Sequence, residues 1–212
     1  MSQIQNEALY ASGEQKIQWV KSFMPLLSGL ETEFAAEKPF AGLRVALSVH
    51  LEAKTAYLCR VLQAGGAEMY VTGSNPLSTQ DDIAAALVKS GMEVFAVHGA
   101  TAEEYHAHLQ AVIAARPHII IDDGGDLVNL IHNEYRELLP AVLGGCEETT
   151  TGIIRLQAMA ADVETAKALG CTTFVEFGPG KVLSGLVKKI DAALTTANVD
   201  DLASLEATVA AV

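Results

Sequence analysis

The chain has 212 residues, of which 50% are hydrophobic and 19% are charged. This length fits one domain or one domain with an appendage, and the composition supports a buried core and excludes a disordered polymer. Fourteen Lys and Arg residues against 26 Asp and Glu residues give a net charge of −12, which disfavours binding to phosphate backbones and anionic membranes. We therefore expect neither nucleic acid nor a membrane as a partner.

Targeting signals and cysteine patterns give no sign of export or of a metal site. No stretch approaches the roughly 20 apolar residues of a membrane span, and the N-terminus lacks a basic cluster followed by an apolar run. We expect a cytoplasmic protein, and a homo-oligomer is compatible with its composition. Cys59, Cys146 and Cys171 are odd in number and lack CxxC spacing, which predicts reduced, buried thiols.

The apolar pattern predicts one N-terminal helix followed by alternating strands and helices. Residues 14–35 have near-helical apolar spacing, with a capping box of Ser12 and Gln15 and an interruption at Pro25. Short apolar runs then occur at 44–50, 67–73, 92–98, 117–123, 140–146 and 171–177. Helical segments are predicted near 53–64, 81–90, 101–115 and 124–133, in the segment after 147 and in the segment after 178.

This alternation predicts an α/β fold, a doubly wound parallel sheet in three layers of the Rossmann or flavodoxin type, with about five strands and a helical N-terminal segment. We divide the chain into an N-terminal helical segment (1–40), an α/β portion (41–160) and a C-terminal strand with helices (161–212). The last segment is expected to pack on the same domain.

Candidate site residues follow from this fold class, because ligands of doubly wound sheets bind beyond the carboxyl ends of the strands. That rule selects His50, the loop 74–81, His98, the segment 122–126 and the segment 147–151. We expect them to face one crevice.

The loop GSNPLSTQD (73–81) is rich in neutral hydrogen-bonding side chains. Such side chains suit a ligand with many hydroxyls and ring nitrogens, since each supplies a directional hydrogen bond without requiring a counter-charge. The alternative is a helix cap, in which Thr79 or Asp81 satisfies free backbone N–H groups of the next helix.

The segment DDGGD (122–126) ends a very apolar strand. A carboxylate there is partly desolvated, an environment that can tune a general base. One alternative is a solvated turn with Asp126 capping the next helix. Another is an oxygen-ligand metal site at Asp122, Asp123 and Asp126, although the spacing matches no calcium loop.

The histidines and the glycine turn carry weaker signals. His50 could exchange protons near neutral pH or be structural. His106 and His108, two apart on a predicted helix, face different sides and make no metal pair; we expect both to face solvent, and no resident metal. GPGKVLSG (178–185) invites a phosphate-binding interpretation but lacks the third glycine of the dinucleotide fingerprint, and no G-x-S-x-G nucleophile is present.

Several segments together resemble S-adenosylhomocysteine hydrolase in order and spacing. They are VHLEAKTAYL, SNPLSTQDDIAAAL, EEYHAHL, IIIDDGGDLVNLIH and EETTTGIIRLQAM, and the likeness extends over about 14–160. The resemblance implies a substrate domain that works with a separate NAD domain. The reaction of that family runs in five steps: the ribose 3′-hydroxyl is oxidised, the 4′ proton is removed, homocysteine leaves, water adds, and the hydride returns from the cofactor.

The resemblance also implies roles for individual residues. Carried over by motif position, His50 would assist proton transfer beside the ribose, Asp123 would be the acid/base group, and Glu148 would hold ribose hydroxyls as part of the catalytic set. The nucleoside would further contact Thr55, Gln80 and Asp81, and the nicotinamide cofactor would face Thr149, Thr150 and Thr151.

Two positions depart from the family pattern. Glu52 stands where the family usually has a Thr that touches adenosine, and Lys54 stands where it has Glu or Gln toward the adenine. A larger charged side chain at each position is expected to disturb adenine recognition, because a buried unmatched charge is unfavourable by several kcal/mol.

The remaining chain departs from the family as well. The residues after 160 are too few for a dinucleotide domain with two βαβαβ halves, and the family's segment with a catalytic Lys and Asp is missing. We therefore expect no cofactor bound by the chain alone and no complete hydrolase cycle. Residues 169–212 resemble the C-terminal end of malonyl-CoA:acyl-carrier-protein transacylases, without that family's nucleophile motifs, which suggests a chimeric chain whose last strand closes a sheet edge.

These observations favour a domain that binds adenosine or S-adenosylhomocysteine, a small-molecule nucleoside ligand. The alternative is a non-catalytic structural or chimeric α/β protein with a degenerate site. A third hypothesis is an enzyme that acts together with an NAD-bearing partner chain.

Overall fold

The computed structural model describes residues 2–160, 173–177, 195–199 and 201–211. Its N-terminal part contains β1 (Gln3–Ile4), a 3-10 turn (Glu7–Leu9), α1 (Tyr10–Lys21) and α2 (Pro25–Glu37). The central part contains β2 (Arg44–Ser48), α3 (Ala53–Ala64), β3 (Glu68–Thr72), α4 (Asp81–Lys89), β4 (Glu93–Ala96), α5 (Ala102–Ile113), β5 (Ile119–Asp122), α6 (Asp126–Glu134), a 3-10 helix (Arg136–Ala141), β6 (Gly144–Glu147) and α7 (Thr150–Ala160). The C-terminal part contains β7 (Thr173–Phe177), β8 (Thr195–Val199) and α8 (Leu202–Ala211).

The central element is a six-stranded parallel sheet in the order β1-β4-β3-β2-β5-β6. Starting from β2, the chain first adds strands on one side and then crosses to add β5 and β6 on the other. This is the doubly wound arrangement, and it confirms the predicted fold class. Ser48, at the end of β2, lies opposite both Thr72 and Asp122, so three strands end level at the same edge.

The sheet is covered by helices on both faces. Successive strand side chains point to opposite sides, and Val45 and Leu47 pack in the core with α1, α3 and α4, whereas Ala46 packs with α5 and α6. Because both faces are buried, the strands are continuously apolar rather than alternating. This explains why the apolar runs identified the strands.

The N-terminal helix prediction was correct in its interruption and wrong in its start. The chain forms two helices, with Pro25 in the first turn of α2, where its missing N–H has no intrahelical partner to lose. α1 begins at Tyr10, so Ser12 lies inside the helix and its Oγ donates to the Asp82 carboxylate at 2.7 Å. The expected capping box of Ser12 and Gln15 is therefore not formed.

Two strand predictions also differ from the structure. The run 140–146 is a strand only from Gly144, because Arg136–Ala141 forms a 3-10 helix that contains Pro140. The short strand β1 was not predicted, since two residues carry no periodicity; it pairs with β4 at the edge of the sheet.

The C-terminal strand β7 lies within the run predicted at 171–177. It pairs with β8 in a separate two-stranded parallel sheet and lies beside β6, an edge strand of the main sheet. The expected closure of that edge by the C-terminal segment stays a prediction. The glycine turn at 178–185 and Cys171 lie outside the described residues. Of the other two thiols, Cys59 is buried and Cys146 is partly buried.

No helix in the described ranges is both long enough and apolar enough to cross a bilayer.

Candidate functional site

The site is built where the sheet changes winding direction, between β2 and β5. His50 follows β2, Asp123 follows β5, and the two strands are direct neighbours. His50 Nε2 lies 3.4 Å from Asp123 Oδ2. The imidazole is 52% exposed and the carboxylate 8% exposed, so the pair joins a protected acid to an accessible base at the position where doubly wound folds bind ligands.

Two serines of the loop after β3 complete this pair. Ser74 Oγ donates to Asp123 Oδ2 at 2.7 Å, and Ser78 Oγ lies 2.6 Å from His50 Nδ1. The sequence placed both serines in a candidate loop and counted Ser78 among its ligand-binding donors and acceptors, but it predicted neither contact with the His50–Asp123 pair. The loop follows β3, which pairs directly with β2, and this adjacency brings it over the His50–Asp123 pair.

Asp122 binds backbone N–H groups next to the site. Its side chain is fully buried, with Oδ1 accepting from Asp123 N at 3.1 Å and Oδ2 accepting from Val128 N at 3.0 Å. Burial raises the pKa of Asp122 to about 7, and the nearby Glu147 charge contributes to the rise. Asp122 thus satisfies a free N–H at the start of α6.

Asp126 does not perform the capping role that the sequence suggested. It is the first residue of α6, where Gly125 occupies the cap position. Its carboxylate accepts from Tyr105 Oη at 2.9 Å and pairs with Arg155. Asp126 therefore connects α6 to α5 and α7.

Glu148 follows β6, next to β5 at the same edge. Its backbone N–H donates to Asp122 O at 3.0 Å. Partial desolvation of its carboxyl group and the negative charge of Asp123 raise the pKa of Glu148, while the charge of His50 opposes that rise. The structure therefore brings together the three residues expected to be catalytic, Asp123, Glu148 and His50.

The three threonines after Glu148 divide into two groups. Thr149 Oγ1 accepts from Gly152 N at 3.1 Å and donates to Glu147 Oε1 at 2.8 Å, so it caps α7. Thr150 and Thr151 are exposed in the first turn of α7.

The residues assigned to nucleoside contact lie at the same edge. Thr55 is buried in the first turn of α3. Gln80 N donates to Leu51 O at 3.0 Å, beside His50, and Gln80 Oε1 accepts from Lys16 Nζ at 2.9 Å. Asp81 Oδ1 accepts from His98 N at 2.9 Å.

The helix-cap alternative for this loop is wrong. Gln80 occupies the cap position of α4 without a side-chain hydrogen bond to the helix, and Thr79 Oγ1 donates instead to Asn75 O at 3.2 Å. Asp81 is already the first residue of the helix, and its carboxylate binds the backbone of His98 after β4.

The two departures from the family pattern are not buried unmatched charges. Glu52 is half-buried and caps α3, with Oε1 accepting from Lys54 N at 3.0 Å and from Thr55 N at 3.3 Å. Lys54 is exposed. The ligand-free chain therefore buries neither charge without a partner, and the expected disturbance of adenine recognition stays a prediction.

The described residues contain no group of three or more His, Cys, Asp or Glu side chains arranged to hold a metal ion. His106 is exposed as expected, but the expectation for His108 is wrong, since this side chain is buried in α5. Burial lowers the pKa of His108. The two-residue spacing indicated different faces of the helix, but not that one face packs on the sheet.

Comparison with known proteins agrees with this geometry. Residues 2–138 match the family model described as S-adenosyl-L-homocysteine hydrolase. The chain belongs to this family. The predicted resemblance is therefore confirmed for the α/β portion; the transacylase resemblance of 169–212 stays a prediction.

Related proteins carry two names. The chain is 53% identical to an S-inosyl-L-homocysteine hydrolase of Methanococcus maripaludis over 162 residues, which is 76% of this chain and 39% of the relative. It is 53% identical to a protein of the same name from Methanocaldococcus jannaschii over 159 residues, 75% of this chain and 38% of the relative. An adenosylhomocysteinase of Pyrococcus abyssi is 50% identical over 159 residues, with the same coverage. The chain thus spans about two fifths of the length of these relatives.

Proposed function

We propose that the carboxyl edge of the sheet binds the nucleoside part of a homocysteine thioether and supplies acid and base groups for its hydrolysis. The observation that carries the proposal is the contact of His50 with Asp123 at the switch point, in a chain of this family. The polar groups around it are serines and carboxylates, which suit the hydroxyls of a ribose. The net charge of −12 favours an uncharged nucleoside over a nucleotide.

Each group at the edge has a chemical task under this proposal. Asp123, held by Ser74, accepts a proton from the sugar, and His50 accepts or donates the next proton from its exposed side. Glu148 accepts hydrogen bonds from ribose hydroxyls, and its raised pKa keeps a proton available closer to neutral pH than an ordinary carboxyl group does. Thr55, Gln80 and Asp81 border the nucleoside.

The nicotinamide cofactor of the family would meet the start of α7. Thr150 and Thr151 are exposed there and offer hydroxyl groups to a cofactor. The Glu147 carboxylate points inward to Thr149, so its negative charge does not face the cofactor's phosphates. NAD, when bound, supplies the acceptor and donor for the ribose hydride. Thr149 stays occupied as the helix cap.

The base that the site prefers depends on Lys54 under this proposal. The S-inosyl group in the name of two of the relatives contains hypoxanthine, whose six-position is a carbonyl acceptor, whereas adenine has an amino donor there. Lys54 stands at the position where the family has Glu or Gln facing the base. An ammonium group can only donate hydrogen bonds. We therefore expect hypoxanthine to bind more tightly than adenine.

Calorimetric titration of the chain with inosine and with adenosine tests both points. We expect inosine to bind more tightly than adenosine, and Lys54→Gln to reverse or erase the preference through a change of about tenfold. His50→Gln should weaken both nucleosides, and the matched control His106→Gln, an exposed histidine on α5, should weaken neither.

Absence of heat with both nucleosides at millimolar concentration would reject the proposal and favour the structural protein with a degenerate site. Equal weakening by His50→Gln and His106→Gln would contradict the placement of the site at the edge between β2 and β5.

A further inference from the structure

Glu147, the last residue of β6, joins two loops through one oxygen atom. Its Oε1 accepts from Gly124 N at 2.8 Å, from Thr149 N at 2.9 Å and from Thr149 Oγ1 at 2.8 Å. Gly124 lies in the loop after β5, and Thr149 lies in the loop after β6. A charge-assisted contact to three donors is among the stronger hydrogen-bonding arrangements.

The two backbone amides that Glu147 binds, those of Gly124 and Thr149, each follow a candidate catalytic acid. Gly124 directly follows Asp123, and Thr149 directly follows Glu148. A single carboxylate oxygen therefore holds the residue after each of the two acids that were placed at the site. The same glycine is held from the other side, since Arg155 Nη1 donates to Gly124 O at 3.0 Å.

The loop after β5 has conformational freedom that needs such an anchor. Gly124 and Gly125 both have positive φ, at 95° and 76°, in a region that glycine adopts as readily as any other. Without a fixed partner for the Gly124 N–H, the peptide after Asp123 could turn, and the carboxylate would move with it.

The Glu147 carboxylate packs closely against Gly152, where no side chain is present. A Cβ atom added at Gly152, in the first turn of α7, would overlap this carboxylate. The second oxygen, Oε2, is buried without a hydrogen-bond partner within the described ranges. Only Oε1 therefore carries the connection.

We propose that Glu147 is a positioning residue that fixes the separation of the Asp123 and Glu148 carboxyl groups by binding the backbone amide after each of them. The consequence for chemistry rests on the proposed function, because two acids must reach the same ribose. The separation itself is a property of the ligand-free chain.

Electrostatic coupling reports this separation. Four charged groups influence Glu148: Asp123 after β5, His50 after β2, Glu147 on β6 and Glu52 at the start of α3. Removing the Asp123 charge should lower the pKa of Glu148, since that charge raises it. The size of this lowering depends on how close the two carboxyl groups are held.

The experiment follows the side-chain carboxyl carbon of Glu148 by NMR through a pH titration, without ligand. The lowering of its pKa by Asp123→Asn is measured in four backgrounds: the native chain, Glu147→Ala, Glu147→Gln and Gly152→Ala. The difference between paired titrations isolates the coupling and cancels the direct effect of the Glu147 charge.

We expect Glu147→Gln, which keeps an acceptor oxygen in place, to retain the native coupling. Glu147→Ala should reduce it to less than half. Gly152→Ala, which leaves Glu147 intact but displaces its carboxylate, should reduce it in the same way, although alanine favours a helix more than glycine does.

Unchanged coupling in both Glu147→Ala and Gly152→Ala would overturn the proposal, as would loss of coupling in Glu147→Gln at unaltered thermal stability. If Glu147→Ala fails to fold, the comparison of Gly152→Ala with Glu147→Gln decides. No nucleoside is added, so a failure here is distinct from a failure of nucleoside binding.

Discussion

At the scale of single residues, the site combines acids with opposite roles. Asp122 is fully buried and uses both oxygens to hold backbone N–H groups, whereas the adjacent Asp123 presents its carboxylate to His50 and Ser74. The end of the strand separates their roles, because Asp122 is the last residue of β5 and Asp123 begins the loop beyond it. Only one of the two acids can reach the crevice.

Asp122 should make stability depend on pH in an unusual direction. Its folded-state pKa of about 7 lies above the value of about 3.9 in an unfolded chain, so the native state binds the extra proton. The contribution of Asp122 to the free energy of unfolding therefore falls as the pH rises from about 4 to about 7, by at most about 1.4 kcal/mol per pH unit. Above that range its contribution is constant.

Urea unfolding of the native chain and of Asp122→Asn between about pH 5 and about pH 8 measures this contribution. The free energy of unfolding of the native chain, relative to that of the variant, should rise as the pH is lowered through this window, because the variant has no proton to gain at this position. A difference that does not vary with pH would show that Asp122 keeps an ordinary pKa.

The residue scale also shows what the sequence could supply. His50, Asp123 and Glu148 were predictable because each directly follows an apolar strand and lies in a family motif. The contacts of Ser74, Ser78 and Glu147 were not predictable, since hydrogen bonds across 49, 28 and 23 positions leave no trace in local spacing.

At the scale of elements, α1 is fixed against α4 by a glycine. A Cβ atom added at Gly13 would overlap the backbone oxygen of Asp82, so the two helices approach more closely than any side chain permits. Ser12 and Lys16 then bind Asp82 from the same helix. Ser12 therefore uses its hydroxyl group for a contact between helices instead of a cap.

Replacing glycine by alanine should have opposite effects on the free energy of unfolding at Gly13, which contacts α4, and at Gly29, which has open space around it. Gly13→Ala should lower the free energy of unfolding by about 1–3 kcal/mol, because the clash is with backbone. Gly29→Ala, in α2 with nothing within 4 Å of the added Cβ, should raise it by about 0.5–1 kcal/mol. Denaturant unfolding of both variants provides the measurement, and stabilisation by Gly13→Ala would show that the helices separate easily.

At the scale of the whole molecule, the buried core of the described ranges is shared by the N-terminal helix α1 and the α/β portion. The buried hydrophobic side chains of the described ranges extend from Ile17 to Leu138. They form two clusters, one on each face of the sheet. The C-terminal strands β7 and β8 form a ladder with each other, and β7 lies beside β6.

A chain shortened to residues 1–160 should therefore fold cooperatively. We expect circular dichroism to show one unfolding transition, with a midpoint within about 5 °C of the full chain, because the buried hydrophobic side chains of the described ranges all lie before residue 139. The full chain measured at the same concentration is the control. A shortened chain without a cooperative transition would show that the C-terminal part completes the core.

The sequence by itself determined the fold class, the order of strands and helices, and the acids and histidine at the strand ends. It could do so because strands buried on both faces are continuously apolar, and because parallel strands bring their carboxyl ends to one edge. The tertiary structure decided which side chains meet there: Ser74 with Asp123, Ser78 with His50, and Glu147 with the amides after Asp123 and Glu148. These contacts join separate loops, and only the packing of neighbouring strands sets their distances.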